Sequence, residues 1–193
     1  AIGMEFAYVL VNYGVDVTIV EYLDRVLPSE DPDVSAVLRK QYAKLGVKVK
    51  TATTVSELHD DENGVTVTLT DHATSRTETI VVDKVMQSVG FIPRIDGFGL
   101  ETTGVALTAA GAIDISDFMQ TTVPHIYAIG DVTAKLQLAH VAEAQALVAA
   151  ETIAGHDTDP IVDYRMMPRA TFSQPQVASF GLTEQQATEA AAA

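Results

Sequence analysis

The sequence contains no cysteine and no tryptophan, and aromatic residues make up only 6% of its 193 residues. The absence of cysteine excludes disulfides, zinc-thiolate sites and thiol catalysis within these residues. Bases are also few, since 12 Lys and Arg stand against 26 Asp and Glu, for a net charge of −14. Nucleic acids and anionic membranes attract bases, so this balance argues against both as partners. There is no long apolar run, and the 47% hydrophobic content predicts a globular protein.

The first 21 residues read as a helix followed by a strand that ends in an acid. Apolar residues recur at three- and four-residue steps and predict one apolar helix face: Ile2, Phe6, Val9, Leu10 and Tyr13. Gly14 is placed to end this helix in the left-handed conformation. The β-branched run over 15–20 predicts a strand buried on both faces, and Glu21 follows it.

Helix, glycine, strand and acid form half of a dinucleotide-binding βαβ unit. In such a unit an acid lies about 20 residues beyond a G-x-G-x-x-G loop. Gly3 precedes Glu21 by 18 positions and would be the third glycine, whose missing side chain lets helix and strand pack closely. Glu21 would accept hydrogen bonds from the adenosine ribose and favour NAD over NADP. The alternative is an ordinary helix–strand pair with a surface glutamate.

A second helix and a meander are predicted next. Ser29 to Pro32 forms a helix-start signal, and the helix would run to Gly46. Its apolar stripe would be Val34, Val37, Leu38, Tyr42 and Leu45. A half-exposed strand is predicted at 47–51, and strand-like runs at 54–59, 65–70 and 77–82 predict an antiparallel meander with a turn at Asn63-Gly64. Residues 83–90 predict a buried strand ending in Gly90.

In the second half, residues 124–131 predict a short apolar strand that delivers Gly130 and Asp131 at its end. An aspartate there can accept a hydrogen bond from a sugar or sugar-alcohol hydroxyl. The alternative is an ordinary Gly-Asp turn. Further predicted elements are short strands near 105–107 and 112–115, an Ala-rich helix over 138–154, two strands around 173–175 and a helix capped by Thr183.

Four stretches in one order carry a family resemblance. They are I-G-M-E-F-A-Y with V-T-I-V-E, then V-G-F-I-P, then H-I-Y-A-I-G-D-V with L-Q-L-A-H-V-A, and finally P-R-A-T-F-S-Q-P-Q-V-A-S-F-G-L-T-E. Together they resemble the flavoprotein pyridine nucleotide-disulfide oxidoreductases, in particular the actinobacterial dihydrolipoyl dehydrogenase group. The resemblance covers nearly the whole chain.

The resemblance implies an α/β fold with Rossmann-like FAD/NAD(P)-binding domains, a three-stranded β-meander and the start of an α+β dimerisation domain. Residues 1–92 would be an NAD-binding domain without its first strand, 93–162 the returning part of an FAD-binding domain, and 163–193 the start of the dimerisation domain. Ala1 would then lie inside the phosphate loop, and the chain would be a central fragment unstable by itself.

The same resemblance implies two sets of cofactor-binding residues. The NAD set is Gly3, Glu5, Glu21, Val55 and Gly90, with Glu5 near the nicotinamide and Val55 beside the adenine. The FAD set is Asp131, Gln137, Leu138, Ala139 and His140, with Asp131 on the ribitol. A helix starting at the latter segment would aim N–H groups at the flavin N1–C2 carbonyl and stabilise the anionic reduced flavin. The alternatives are a solvated Glu5, an ordinary strand valine and a capping or core His140.

Departures from the family pattern limit what these residues can do. The family's redox cysteine pair and its catalytic histidine–glutamate pair have no counterpart here, so no catalytic residue and no metal site is predicted. Phe91 stands where many relatives have arginine. The resemblance implies a cytoplasmic homodimer that oxidises the dihydrolipoamide of 2-oxo-acid dehydrogenase complexes and passes electrons through FAD to NAD. Alternatives are another NAD(P)H-dependent flavoprotein reductase or oxidase, and a non-catalytic dinucleotide-binding module.

Overall fold

The structure is a computed structural model, and it describes residues 1–192. The chain divides into two compact units. The first comprises residues 1–89 together with residues from 170 onward, and the second comprises residues 90–169. No helix in the described chain combines the length and the apolar character needed to cross a membrane.

The first unit begins with the predicted order of helix, strand, helix and strand. These elements are α1 (Ile2–Asn12), β1 (Thr18–Val20), α2 (Pro32–Lys44) and β2 (Lys48–Lys50). The two strands pair in parallel, with Ile19 opposite Val49, so β1, α2 and β2 form a βαβ unit. Both strands are three residues long, shorter than the β-branched runs predict.

The buried face of α1 differs from the predicted one. Met4 and Ala7 are buried in α1, whereas four of the five residues predicted to face the core are exposed: Ile2, Phe6, Val9 and Tyr13. The prediction was wrong because α1 carries apolar residues on both sides, so spacing alone does not select one. The side with Met4 and Ala7 is selected because it packs in one core cluster with residues of α2 and of the segments around it, namely Val26, Leu27, Leu38, Tyr42 and Val47.

Leu38 and Tyr42 of α2 are fully buried in the core of the first unit. The Tyr42 hydroxyl donates a 2.6 Å hydrogen bond to the Met4 carbonyl oxygen and so ties α2 to α1. Burial raises the pKa of Tyr42 to about 12. Of the predicted stripe, Val37 and Leu45 lie exposed.

The predicted meander is confirmed. It consists of β3 (Thr53–Asp61), β4 (Gly64–Asp71) and β5 (Thr77–Val82), antiparallel and in sequence order. The β3–β4 ladder contains a bulge, because Val55 pairs with Leu69 while Glu57 pairs with Thr68, which leaves Ser56 as an extra residue. Gly64 has a φ of +120°, and a Cβ there would lie 2.6 Å from the Val82 carbonyl oxygen, so the turn requires glycine.

The buried strand predicted at 83–90 was wrong. These residues are exposed, and no described strand hydrogen-bonds to them. An apolar run becomes a strand only where a neighbouring strand satisfies its backbone groups. The sequence supplies the apolar character of this segment but cannot supply the neighbour.

The second unit contains α3 (Ala139–Ala154), which ends at Gly155 in the left-handed conformation, as predicted. Its core residues are Ile113, Ile115, Met119, Ala128, Val148 and Ala149. The strand predicted at 124–131 was wrong, because that run forms one isolated bridge, Gln120 to Tyr127, and then a 3₁₀ turn over Gly130–Thr133. The 105–107 and 112–115 runs likewise meet in a single bridge between Leu107 and Ile113.

The last elements are β6 (Arg169–Thr171), β7 (Val177–Ser179) and α4 (Glu184–Ala192), and β6 pairs with β7 as predicted. Thr183 caps α4: its Oγ1 accepts from the Gln186 amide at 3.2 Å, and its own amide donates to Gln186 Oε1 at 3.0 Å. This reciprocal pair is a capping box. Ala190–Ala192 belong to α4, and Ala193 lies outside the described residues.

Candidate functional site

Gly3 lies in the first turn of α1, where the chain approaches Ser88. A Cβ added at Gly3 would lie 2.5 Å from the Ser88 hydroxyl oxygen, which is closer than non-bonded atoms come. The Ser88 hydroxyl is the end of an exposed side chain that can rotate away, so this contact alone does not require a glycine. The sequence pattern predicts a glycine here for close packing of helix against strand, and that role stays a prediction.

Glu21 follows β1 directly, at the carboxyl end of the parallel pair. Its amide donates to the Lys50 carbonyl at 2.8 Å, and its carbonyl accepts from the Thr53 amide at 3.0 Å. Its carboxylate oxygen Oε1 accepts from the Leu23 amide at 2.8 Å. Backbone bonds on both sides thus fix Glu21, and one amide orients its partly exposed carboxylate.

The other three residues of the predicted NAD set occupy different surroundings. Glu5, on α1, is partly buried and accepts a 2.7 Å hydrogen bond from the Phe172 amide. Its carboxylate therefore links α1 to the residue after β6 instead of being a freely solvated acid. Val55, on β3, is 42% exposed. Gly90 has a φ of +109°, a conformation that favours glycine.

Asp131 is the second residue of the 3₁₀ turn, and it lies exposed. The turn begins at Gly130, whose φ is +73°. The Gly130 amide donates a 2.6 Å hydrogen bond to Oε1 of Gln145, on α3. Thr133 Oγ1 donates to the Gly130 carbonyl at 2.8 Å. Two side chains therefore bind both backbone groups of the residue before Asp131.

Sequence reasoning missed Gln145, which is 1% exposed. A signal for it exists in the spacing of α3, because Gln145 shares a helix face with the buried residues Val141, Val148 and Ala149. A glutamine in an apolar stripe must find hydrogen-bond partners there, since burying an unpaired amide is costly. The sequence alone does not show which partners those are.

The remaining predicted FAD residues lie at the start of α3. Leu138 is the N-cap in extended conformation and Ala139 begins the helix, with no side-chain cap and no acid in the first turn. The first amides and the positive end of the helix dipole are thus left for an electron-rich group. Gln137 precedes them and is partly buried.

His140 lies exposed in the first turn of α3, and its Nε2 lies 2.8 Å from the Pro168 carbonyl oxygen. A carbonyl only accepts, so Nε2 carries the proton and donates it. Because His140 is exposed it is not a core residue, and because its ring bonds to Pro168 it does not cap α3. These were the two alternatives to a flavin neighbour, and that role itself stays a prediction.

The donor and acceptor sets fit the two predicted cofactors. A carboxylate at a strand end with an oriented oxygen suits the hydroxyl groups of a ribose, and an exposed aspartate on a braced turn suits those of a sugar alcohol. The uncapped start of α3 suits a group that gains negative charge. Within residues 1–192 no cluster of His, Asp or Glu could coordinate a metal ion.

Comparison with known proteins identifies the class. A family model described as "Pyridine nucleotide-disulphide oxidoreductase" matches residues 1–146. The chain belongs to this family, and its fold is that of the flavoprotein disulfide reductases.

Individual relatives show which members of the family the chain is similar to. The chain is 62% identical to dihydrolipoyl dehydrogenase of Corynebacterium glutamicum and 60% identical to that of Mycobacterium leprae, over 98% of this chain in both cases. It spans about 40% of the length of these curated relatives. Among solved structures, LpdA from Mycobacterium tuberculosis is 31% identical with a TM-score of 0.86, over 98% of this chain and 40% of that one. The flavoprotein disulfide reductase RclA from Escherichia coli is 29% identical with a TM-score of 0.86, over 97% and 42%.

Proposed function

We propose that this chain is the NAD-binding and flavin-contacting part of a dihydrolipoyl dehydrogenase. The observation that carries the proposal is the 60–62% identity to two actinobacterial proteins of that name, about twice the identity to the solved disulfide reductases above. The whole enzyme would oxidise the dihydrolipoamide carried by 2-oxo-acid dehydrogenase complexes and reduce NAD⁺. When bound, FAD would relay the electron pair between the dithiol and the nicotinamide.

On this proposal, residues 1–92 bind NAD. Glu21 accepts hydrogen bonds from the ribose hydroxyls and repels a 2′-phosphate, because its negative charge lies where that group would be. Gly3 lets the helix pack closely behind the dinucleotide site, Val55 lies beside the adenine, and Glu5 and Gly90 lie near the nicotinamide. The hydrogen bond from the Phe172 amide holds the Glu5 carboxylate in place on α1.

Residues 93–162 contact FAD on this proposal, and residues from 163 onward begin the domain that forms a homodimer. Asp131 accepts a hydrogen bond from the ribitol. Gln137, Leu138, Ala139 and His140 lie along the pyrimidine edge of the flavin, where the first amides of α3 stabilise negative charge. The 193 residues contain no cysteine, so on this proposal the cysteine pair that reacts with the dithiol belongs to another part of the enzyme. We propose that the enzyme is cytoplasmic.

The test uses the protein as it is purified from its natural source. Intact mass comes first, and we expect a mass well above 20.6 kDa. The purified protein should contain FAD and reduce NAD⁺ with dihydrolipoamide, at a rate far above its NADH-dependent reduction of other disulfides or of oxygen. A protein that contains FAD but ignores dihydrolipoamide is another flavoprotein reductase or oxidase. A 20.6 kDa protein that binds NAD without redox activity is the non-catalytic module.

A further inference from the structure

We propose that Gln145 is a positioning residue of the flavin site, which fixes the turn at Gly130 and through it the direction of the Asp131 carboxylate. The inference rests on the proposed role of Asp131 in binding FAD. It adds a residue outside the predicted site that sets how well that site is formed before the cofactor arrives.

The first support is the position of the Gln145 amide. The side chain is 1% exposed, and its oxygen accepts from the Gly130 amide at 2.6 Å. No described strand pairs with the run that leads to Gly130 beyond the single bridge at Tyr127. At Gly130 a side chain therefore provides what a neighbouring strand would otherwise provide, while the Ile113 amide bonds the Val132 carbonyl later in the turn at 2.9 Å.

The second support is that the nitrogen of the Gln145 side-chain amide is also hydrogen-bonded. Its nitrogen donates to the Tyr164 hydroxyl at 2.8 Å and lies 3.5 Å from Thr133 Oγ1. The Gly130 amide needs an acceptor, so only one orientation of the Gln145 amide satisfies both ends. Rotating the amide by 180° would place its NH₂ group against the Gly130 N–H. The Gly130 N–H thus fixes which atom of Gln145 faces the turn, and Tyr164 anchors the other atom.

The third support is the conformation of the turn. Gly130 has a φ of +73°, and Asp131 is the next residue along the chain. A rotation of the Gly130 peptide would redirect the Asp131 side chain, because the two residues share that peptide bond. The Gln145 bond to the Gly130 amide holds the peptide before Gly130, and the Thr133 bond to the Gly130 carbonyl holds the peptide shared with Asp131, so the two bonds together oppose this rotation. Preorganisation of this kind raises affinity by removing the ordering cost from the binding step.

The experiment measures the dissociation constant of FAD for the apoprotein, prepared from the whole natural protein and titrated by quenching of flavin fluorescence. Gln145→Leu removes both hydrogen bonds at similar volume. Gln145→Glu keeps an acceptor for the Gly130 amide. Tyr164→Phe removes only the distant anchor. Val148→Ala is the matched control, since Val148 is 8% exposed in the same helix and core, and its apolar side chain makes no hydrogen bond to the turn.

We expect Gln145→Leu to weaken FAD binding by roughly 10- to 100-fold, the loss that an unsatisfied buried amide and a mobile turn imply. Gln145→Glu should stay within about threefold of the wild type, and Tyr164→Phe should weaken binding by about two- to fivefold. Val148→Ala should lower the thermal midpoint of the apoprotein and leave FAD affinity unchanged. If Gln145 acts through Asp131, Gln145→Leu should have little further effect on FAD affinity in an Asp131→Ala background.

Equal losses of FAD affinity for Gln145→Leu in the wild-type and Asp131→Ala backgrounds would overturn the positioning role. So would a Gln145→Glu protein that binds FAD about 10-fold or more weakly than the wild type, or an unchanged FAD affinity for Tyr164→Phe. The last two arms still decide the matter if Gln145→Leu does not fold. An Asp131→Ala protein that binds FAD like the wild type contradicts the proposed function itself, which separates the two failures.

Discussion

The two predicted cofactor-binding acids are supported in different ways. Glu21 follows a strand, and backbone hydrogen bonds to Lys50 and Thr53 fix it on both sides. Asp131 follows an extended run with a single bridge at Tyr127, its carbonyl accepts from the Ala134 amide at 3.0 Å, and the Gln145 side chain binds the amide of the preceding Gly130. Backbone hydrogen bonds persist as long as the unit is folded, whereas a side-chain hydrogen bond can be removed by one substitution. We therefore expect single substitutions to disturb the position of Asp131 more easily than that of Glu21.

Two tyrosines, Tyr42 fully buried and Tyr164 partly buried, show a similar contrast. The Tyr42 hydroxyl donates to a backbone carbonyl, that of Met4. The Tyr164 hydroxyl accepts from the Gln145 side chain. Burial raises the pKa of both hydroxyls, in Tyr42 to about 12. The Tyr42 hydroxyl thus ties two helices through a backbone carbonyl, whereas the Tyr164 hydroxyl holds the side chain that braces the turn at Gly130.

The largest expected effect is on the stability of the first unit, whose fold holds Glu21 in place. Leu38→Ala empties a fully buried position in the first core and should lower the free energy of unfolding of that unit by about 2–5 kcal/mol. Val37→Ala, at a neighbouring position that is 52% exposed, is the control and should cost less than about 0.5 kcal/mol. Urea unfolding followed by circular dichroism measures both. A Leu38 variant as stable as the control would show that this core does not support the unit.

Substitution of Glu21 itself should come next in size. Glu21→Ala should weaken NAD⁺ binding by about 2 kcal/mol, roughly 30-fold, because hydrogen bonds to a charged carboxylate are lost. Discrimination against NADP⁺ should shrink at the same time, because the repelling charge is gone. Glu57→Ala, an exposed acid on β3, serves as the control. Titration with NAD⁺ and NADP⁺ measures both affinities. Equal affinity of the wild type for the two dinucleotides would contradict the proposed role of Glu21.

The tyrosine comparison can be sharpened by pH. Tyr42→Phe should lower the free energy of unfolding by about 1–2 kcal/mol at pH 7, because the buried Met4 carbonyl loses its donor. Burial raises the pKa of Tyr42 to about 12 from an ordinary 10, so its contribution is complete below pH 10 and declines as the pH rises toward 12. The wild type should therefore lose stability over pH 10–12 more steeply than the Phe variant. Parallel pH profiles of the two proteins would contradict this origin of the slope.

The smallest effect should come from a helix end remote from both acids in sequence. Thr183→Ala removes the capping box of α4 and should cost about 1 kcal/mol. Thr188→Ala, later in the same helix, should cost about 0.5 kcal/mol or less, because its hydroxyl bonds only within the helix. Thermal unfolding compares the two variants. Neither should change the affinity for NAD⁺ or FAD, and a change of either would link α4 to a cofactor site.

The sequence predicts the elements that local chemistry determines. Gly14, Gly46 and Gly155 all have positive φ at the predicted helix ends, and the turn at Asn63-Gly64 correctly indicates the meander. These features depend on residues close together in the chain. They can therefore be read from a short window of sequence.

Three features depend on distant partners, and sequence reasoning missed them. The apolar pattern of α1 fits two faces, and only packing in the core of the first unit selects Met4 and Ala7. The runs 83–90 and 124–131 have the composition of strands but lack the pairing that defines one. Gln145 shows only as a polar residue in an apolar stripe, because its partners lie 15 and 19 positions away in the chain.

The bulge at Ser56 has a consequence for changes in chain length. Pairing is regular up to Val55 with Leu69 and resumes at Glu57 with Thr68, so Ser56 is the one residue of β3 without an opposite number in this ladder. Deleting Ser56 would join two stretches that are already in register, and every later side chain would keep its face. Deleting a residue elsewhere in the middle of β3 would turn the following side chains to the opposite face. Members of the family one residue shorter in this strand can thus keep the same meander.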